Sequence, residues 1–137
     1  MARIVAIDYG NKRVGIAVTD PLKLIATPLE TIHTQDIFSY LKAYTQQQPV
    51  EAIVVGMPKK LDNTPTDVTS AVIGFVRKLQ KEIPGIPVHT LDERFTSRMA
   101  FQAMIAGGLK KKDRQNKATV DKVSAAIILQ SYLEANP

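Results

Sequence analysis

Cysteine and tryptophan are absent from this 137-residue chain, histidine occurs twice, and aromatic residues make up only 6% of it. Without cysteine there is no disulfide framework, no zinc–thiolate site and no thiol nucleophile. His33 and His89 are too few and too far apart in sequence to form an evident metal pair. No apolar run approaches the roughly 18 residues that a membrane span requires. The opening stretch, Met1 to Asp8, meets an aspartate too early for a secretory h-region. A soluble, cytoplasmic protein with no membrane partner is the expectation.

What is present is an ordinary globular composition, with 45% hydrophobic and 23% charged residues. The length suits one domain over 1–137, large enough to bury roughly two-thirds of its unfolded surface. Eighteen Lys and Arg against thirteen Asp and Glu leave a net charge of +5. Much of that excess is local. Between Gly107 and Lys117 stand Lys110, Lys111, Lys112, Arg114 and Lys117, opposed only by Asp113. A basic loop of this kind attracts polyanions through Coulomb steering and counterion release; a solvated loop has the same composition.

The first third reads as three strands. Arg3 to Asp8 is a short β-branched run with the apolar continuity of a strand covered on both faces. Turn residues Tyr9 to Lys12 lead to a second strand, Val14 to Thr19, hairpin-paired with the first. Leu24 to Ile32 is again extended, but Pro28 has no N–H, which assigns that strand to an edge or a bulge.

Helix and strand then alternate. Thr34 is the expected cap of a helix with Ile37, Leu41 and Tyr44 on one face, ended by Pro49. Glu51 to Gly56 is a buried strand, and Met57 to Pro65 a polar loop. Thr66 is placed to cap a second helix striped by Val68, Val72, Phe75, Val76, Leu79 and Ile83. Ile86 to Leu91 is the last strand. A helix from Thr96 or Ser97 to Gly107, the basic loop, and a final helix over Thr119 to Leu133 complete the chain. The order βββαβαβαα predicts an α/β fold: a mixed five-stranded sheet with helices on its faces. Ligands of such sheets sit beyond the carboxyl ends of the parallel strands.

Acids gather at that edge. Asp8 ends the first strand, Asp92 and Glu93 end the last, and Asp121 is expected in the first turn of the final helix. Clustered carboxylates need protons or cations to offset their repulsion. Oxygen donors without histidine or cysteine suit Mg²⁺ or Mn²⁺, and two such ions can clamp a phosphodiester during in-line displacement. Each acid also has a plainer reading. Asp8 suits a turn, Asp92 a helix cap, Glu93 an ion pair, and Asp121 the helix dipole.

Asp8-Tyr9-Gly10-Asn11-Lys12-Arg13-Val14-Gly15-Ile16-Ala17 resembles the Asp-x-Gly-x-x-Arg-x-Gly-x-Ala motif of the YqgF-type family, also known as the RuvX or pre-16S rRNA nuclease family and formerly called Holliday-junction-resolvase-like. Val54-Val55-Gly56-Met57-Pro58 is similar to its Val-Gly-x-Pro segment, and Asp92-Glu93-Arg94-Phe95-Thr96 to its Asp-Glu-Arg-x-[Ser/Thr] signature. Lys117 with Val120-Asp121-Lys122-Val123-Ser124-Ala125 resembles its Lys-x-x-Val-Asp-x-x-Ser-Ala block. The four matches stand in family order across residues 4 to 133.

The resemblance implies a ribonuclease H-like fold and a metal-dependent nuclease maturing the 5′ end of pre-16S rRNA. Its metal ligands and catalytic residues would be Asp8, Glu93 and Asp121, holding one or two Mg²⁺ or Mn²⁺ ions. Asp92 rivals Glu93, which is favoured for its reach. Arg13, Arg94 and Lys117 would face phosphates, joined by Lys110, Lys111, Lys112 and Arg114 of the basic loop. Gly10 is expected to permit a turn with positive φ, and Gly15 a close approach of chain or nucleic acid. RNA is favoured over DNA as partner, with the ribosomal precursor particle as a further candidate. Two other functions fit the same motifs: a structure-selective DNA junction nuclease, usually dimeric, and a non-catalytic RNA-binding assembly factor. Monomer and weak dimer are both open.

Overall fold

The computed structural model describes residues 2–10, 12–20, 26–57, 67–92 and 117–135. Five strands form one sheet: β1 (Arg3–Tyr9), β2 (Arg13–Thr19), β3 (Ala26–His33), β4 (Val50–Met57) and β5 (Val88–Asp92), in the order β3-β2-β1-β4-β5. β1, β4 and β5 run parallel, while β2 pairs antiparallel with both β1 and β3. The described helices are α1 (Ile37–Gln47), preceded by a 3-10 turn over Thr34–Asp36, α2 (Asp67–Glu82) and α3 (Lys117–Ala135). This is the mixed sheet expected from the strand order. The helix expected between Thr96 and Gly107, and Thr66 as a cap, lie outside the described residues.

The alternation of each strand divides the core in two. Val5 and Ile7 of β1, Val14, Ile16 and Val18 of β2, and Ile53 and Val55 of β4 pack beneath α1 and α2, against Ile37, Leu41, Val72, Phe75 and Leu79. Ile4, Ala6, Ala17, Ala52 and Val54 point the other way, against Ala125, Ala126, Ile128 and Leu129 of α3. Covering on both faces explains why β1 and β4 are apolar at consecutive positions rather than at alternate ones. Every α3-facing side chain of β1, β2 and β4 except Ile4 and Val54 in that group is alanine, so α3 approaches the sheet closely.

β3 is an edge strand, as Pro28 requires, and it is also bulged. Ile16 pairs with Glu30 and Ala17 with Pro28, which leaves Leu29 without a partner across the ladder. Two expectations need correction. Thr34 does not cap α1; it begins the 3-10 turn, and its hydroxyl donates 2.6 Å to the Gly10 carbonyl instead. The final helix starts at Lys117 rather than Thr119, so Asp121 falls in its second turn and contributes no first-turn acid to the dipole. Tyr40 of α1 ties that helix to β3 by donating to the Glu30 carboxylate; burial, then that bond, pushes its phenol up to about 12.

Candidate active site at the carboxyl edge of the sheet

Asp8 continues the series Ile4, Ala6 along β1, so it stands on the α3 face at the carboxyl end of the strand, partly exposed. Its neighbours across the sheet are small. On β2 it lies opposite Gly15. Ile7 pairs with Val55, so one residue further Asp8 is level with Gly56 of β4. Directly opposed residues hold their Cβ atoms about 4.5–5.5 Å apart on the same face. Glycine on both sides removes those carbon atoms from the positions directly opposite Asp8, and both glycines are buried.

The last strand reaches the same edge. Gly56 pairs with Leu91 and Met57 with Asp92, so β5 ends level with Asp8 and one residue beyond. His89 stacks on Tyr132 of α3, ring centroids 5.8 Å apart, and Leu91 packs into the α3-side core. His89 itself is exposed. Glu93 lies outside the described residues, as do Arg94, Lys110, Lys111, Lys112 and Arg114. Lys117 is the first residue of α3. Asp121 follows one turn later in the same helix. Among the described residues no three His, Cys, Asp or Glu stand together as a metal-binding group.

The hairpin between β1 and β2 is closely tied. Gly10 does not hold the positive φ expected of it; a Cβ at that position would instead stand 2.6 Å from the Arg13 carbonyl oxygen. Its carbonyl accepts from Thr34 Oγ1 at 2.6 Å, and the Thr34 amide donates to Lys12 O at 3.2 Å. Gly10→Ala is therefore expected to cost about 1–3 kcal/mol, the usual range for forcing extra carbon into a packed place. A lowered urea midpoint at unchanged m-value checks it; an unchanged midpoint would show that the turn gives way freely.

Arg13 opens β2 on the same face as Gly15 and Ala17, and it pairs with His33 of β3. Lys12, Arg13, His33, Thr34 and Gln35 line a recess of about 430 Å³ beside this turn. Of these only Arg13 was singled out by sequence as a binding residue. The Arg13–His33 pairing left no local signal, because it depends on the register between two strands.

The chain matches the family model described as "RuvX: Holliday junction resolvase" over residues 2–135. A Phocaeicola vulgatus protein named "Putative pre-16S rRNA nuclease" is 55% identical over 135 residues, covering 98% of this chain and 97% of that one. A Bacteroides thetaiotaomicron protein of the same name is 52% identical, covering 98% of both. Among solved structures, Thermus thermophilus RuvC in complex with Holliday junction substrate aligns with a TM-score of 0.58 at 18% identity, over 99% of this chain and 97% of that one. The large terminase nuclease from thermophilic phage G20c aligns at 0.53 and 13% identity, over 95% and 81%. At such identities the likeness is one of fold, and the fold is ribonuclease H-like.

Proposed function

Because this chain belongs to the RuvX family, we propose that it is a metal-dependent nuclease that hydrolyses phosphodiester bonds and matures the 5′ end of pre-16S rRNA. The observation that carries the reading is the position of Asp8, between two glycines on the α3 face of the carboxyl edge. An acid at the carboxyl end of a central parallel strand, with no Cβ directly opposite it, stands where ligands of such sheets bind. A turn residue would need neither glycine.

Asp8, Glu93 and Asp121 would hold Mg²⁺ or Mn²⁺, as an oxygen-only donor set suits a hard cation. Positions 89 and 91 of β5 serve the α3 face, and 93 is the next position of that series, which favours Glu93 over Asp92 as Asp8's partner. Position 121 shares the stripe of α3 that carries Ala125 and Ile128 onto the sheet. When bound, the metal supplies charge neutralisation and an activated water. The chain itself supplies the rest. Asp8 on a central strand, buried by two core layers up to Ile7, fixes the site against a rigid support. Arg13, about 8 Å away by strand geometry, offers a cation to the phosphate backbone.

The test is cleavage of a 5′-extended 16S rRNA precursor and a four-way DNA junction, side by side, with Mn²⁺ and with EDTA. Metal-dependent cutting of the RNA carries the proposal. Cutting of the junction instead would favour the function named in the family description, and a stable dimer in solution would add to that. If neither substrate is cut, also when presented within a precursor particle, the nuclease reading fails and a binding factor takes its place.

A further inference from the structure

Lys12, Arg13 and His33 meet at one end of the sheet although nothing in the motif arithmetic joins them. Lys12 belongs to the β1–β2 turn, Arg13 to the first position of β2, and His33 to the last position of β3. With Thr34 and Gln35 they line the 430 Å³ recess, and among the described residues none of its lining side chains is acidic. The recess is built rather than incidental. The Thr34 hydroxyl and amide hold Gly10 and Lys12 by two hydrogen bonds, which tie this end of the hairpin to the end of β3. Because Thr34 spends its hydroxyl proton on Gly10, the exposed side chains Lys12 and His33 are the donors this recess offers to a ligand.

Its position relative to Asp8 is given by the ladder. Arg13 and His33 oppose each other on the α3 face, two residues closer to the edge than the row formed by Thr31, Gly15 and Asp8. β3 lies two strands from β1, about 10 Å. Lys12 and His33 are both exposed. A cationic recess at that distance, on the same face and the same edge as the acid, matches a second point of contact along one extended polyanion.

We propose that the recess formed by Lys12, Arg13, His33 and Gln35 binds a backbone phosphate of the nucleic acid next to the scissile one, and so directs the strand from Asp8 across β2 toward β3. This rests on the nuclease reading. It adds that the substrate has a fixed direction over the sheet, with one flank held at β3 and the other left to the β4–β5 side. The contact is to phosphate and carries no base sequence.

The test uses the full chain with Lys12→Gln and His33→Gln combined, and a fluorescein-labelled single-stranded RNA without divalent metal. Affinity is expected to fall roughly tenfold, the scale of one charge-assisted contact. The slope of log Kd against log salt should become shallower by about 0.7, one phosphate's share for a single strand. A neutral methylphosphonate walked along the RNA should weaken wild-type binding at one phosphate flanking the cut, and the variant should be insensitive there. Unchanged affinity and slope, or the same methylphosphonate profile in both proteins, would overturn the proposal. If the double variant melts lower than wild type, Lys12→Gln alone is read in its place, at an exposed turn position where packing is not at stake. A wild type that cuts RNA while the variant binds normally removes only the recess; a wild type that cuts nothing removes the nuclease reading.

Discussion

Replacing Asp8 with asparagine is expected to abolish cleavage while leaving the fold in place. The carboxylate and the amide have nearly the same shape, and Asp8 is partly exposed at the end of a strand whose preceding residues, Val5 to Ile7, carry the burial. What changes is charge and the ability to bind a hard cation. Stabilisation of the transition state by a metal is worth several kcal/mol. At about 1.4 kcal/mol per factor of ten, the loss should reach at least about 10³-fold in kcat. Binding of RNA should persist or strengthen, since one negative charge facing the phosphates is gone. Cleavage assays, Mn²⁺ titration calorimetry and thermal melting separate these effects. A variant that cuts as fast as wild type would remove Asp8 from the chemistry, and one that loses melting temperature along with activity would make its role structural.

Glu93→Gln and Asp92→Asn should differ sharply although the residues are adjacent. Side chains alternate along a strand, and the stacking of His89 on Tyr132 and the packing of Leu91 assign odd positions of β5 to the α3 face. Asp8 stands on that face. Glu93→Gln is therefore expected to lose about as much activity as Asp8→Asn, roughly 10³-fold on the same metal-stabilisation scale, and to weaken Mn²⁺ binding. Asp92→Asn should keep most of both. The reverse pattern would show that the chain breaks its alternation after Leu91 and that Asp92 is the ligand. Equal and large losses would show that both acids touch the site.

The strands, their order and the two main apolar stripes were legible because they rest on local periodicity. Ile4 to Ile7 and Ile53 to Val55 are consecutive apolar runs, and Val72, Phe75 and Leu79 recur at helical spacing. A chain that must bury those side chains has few other ways to do so. Asp8 was visible for the same reason, as the first charge after such a run. Local signals misled where tertiary contacts competed. Thr34 looks like a cap, yet its hydroxyl is claimed by Gly10 from 24 residues earlier. Gly10 looks like a residue of positive φ, yet it is a place where the Arg13 carbonyl comes too close for a Cβ.

By itself, then, the sequence determined the fold class and the family, both of which follow from patterns a few residues long, and it supplied the acids proposed as metal ligands. Tertiary structure decided which residues stand beside one another. The bulge at Leu29 shifts the β2–β3 register by one, from Ala17–Pro28 to Ile16–Glu30, and so sets His33 rather than Ile32 opposite Arg13. Were Leu29 paired in the ladder instead of bulged, the imidazole would leave the Arg13 face and Ile32 would leave the core, because a one-residue slip turns every side chain to the other side of a sheet. Gly15 and Gly56 flank Asp8 only because an antiparallel and a parallel strand pair with β1 in these particular registers. Register depends on hydrogen bonds and packing between segments far apart in the chain, and no local stretch of sequence records it.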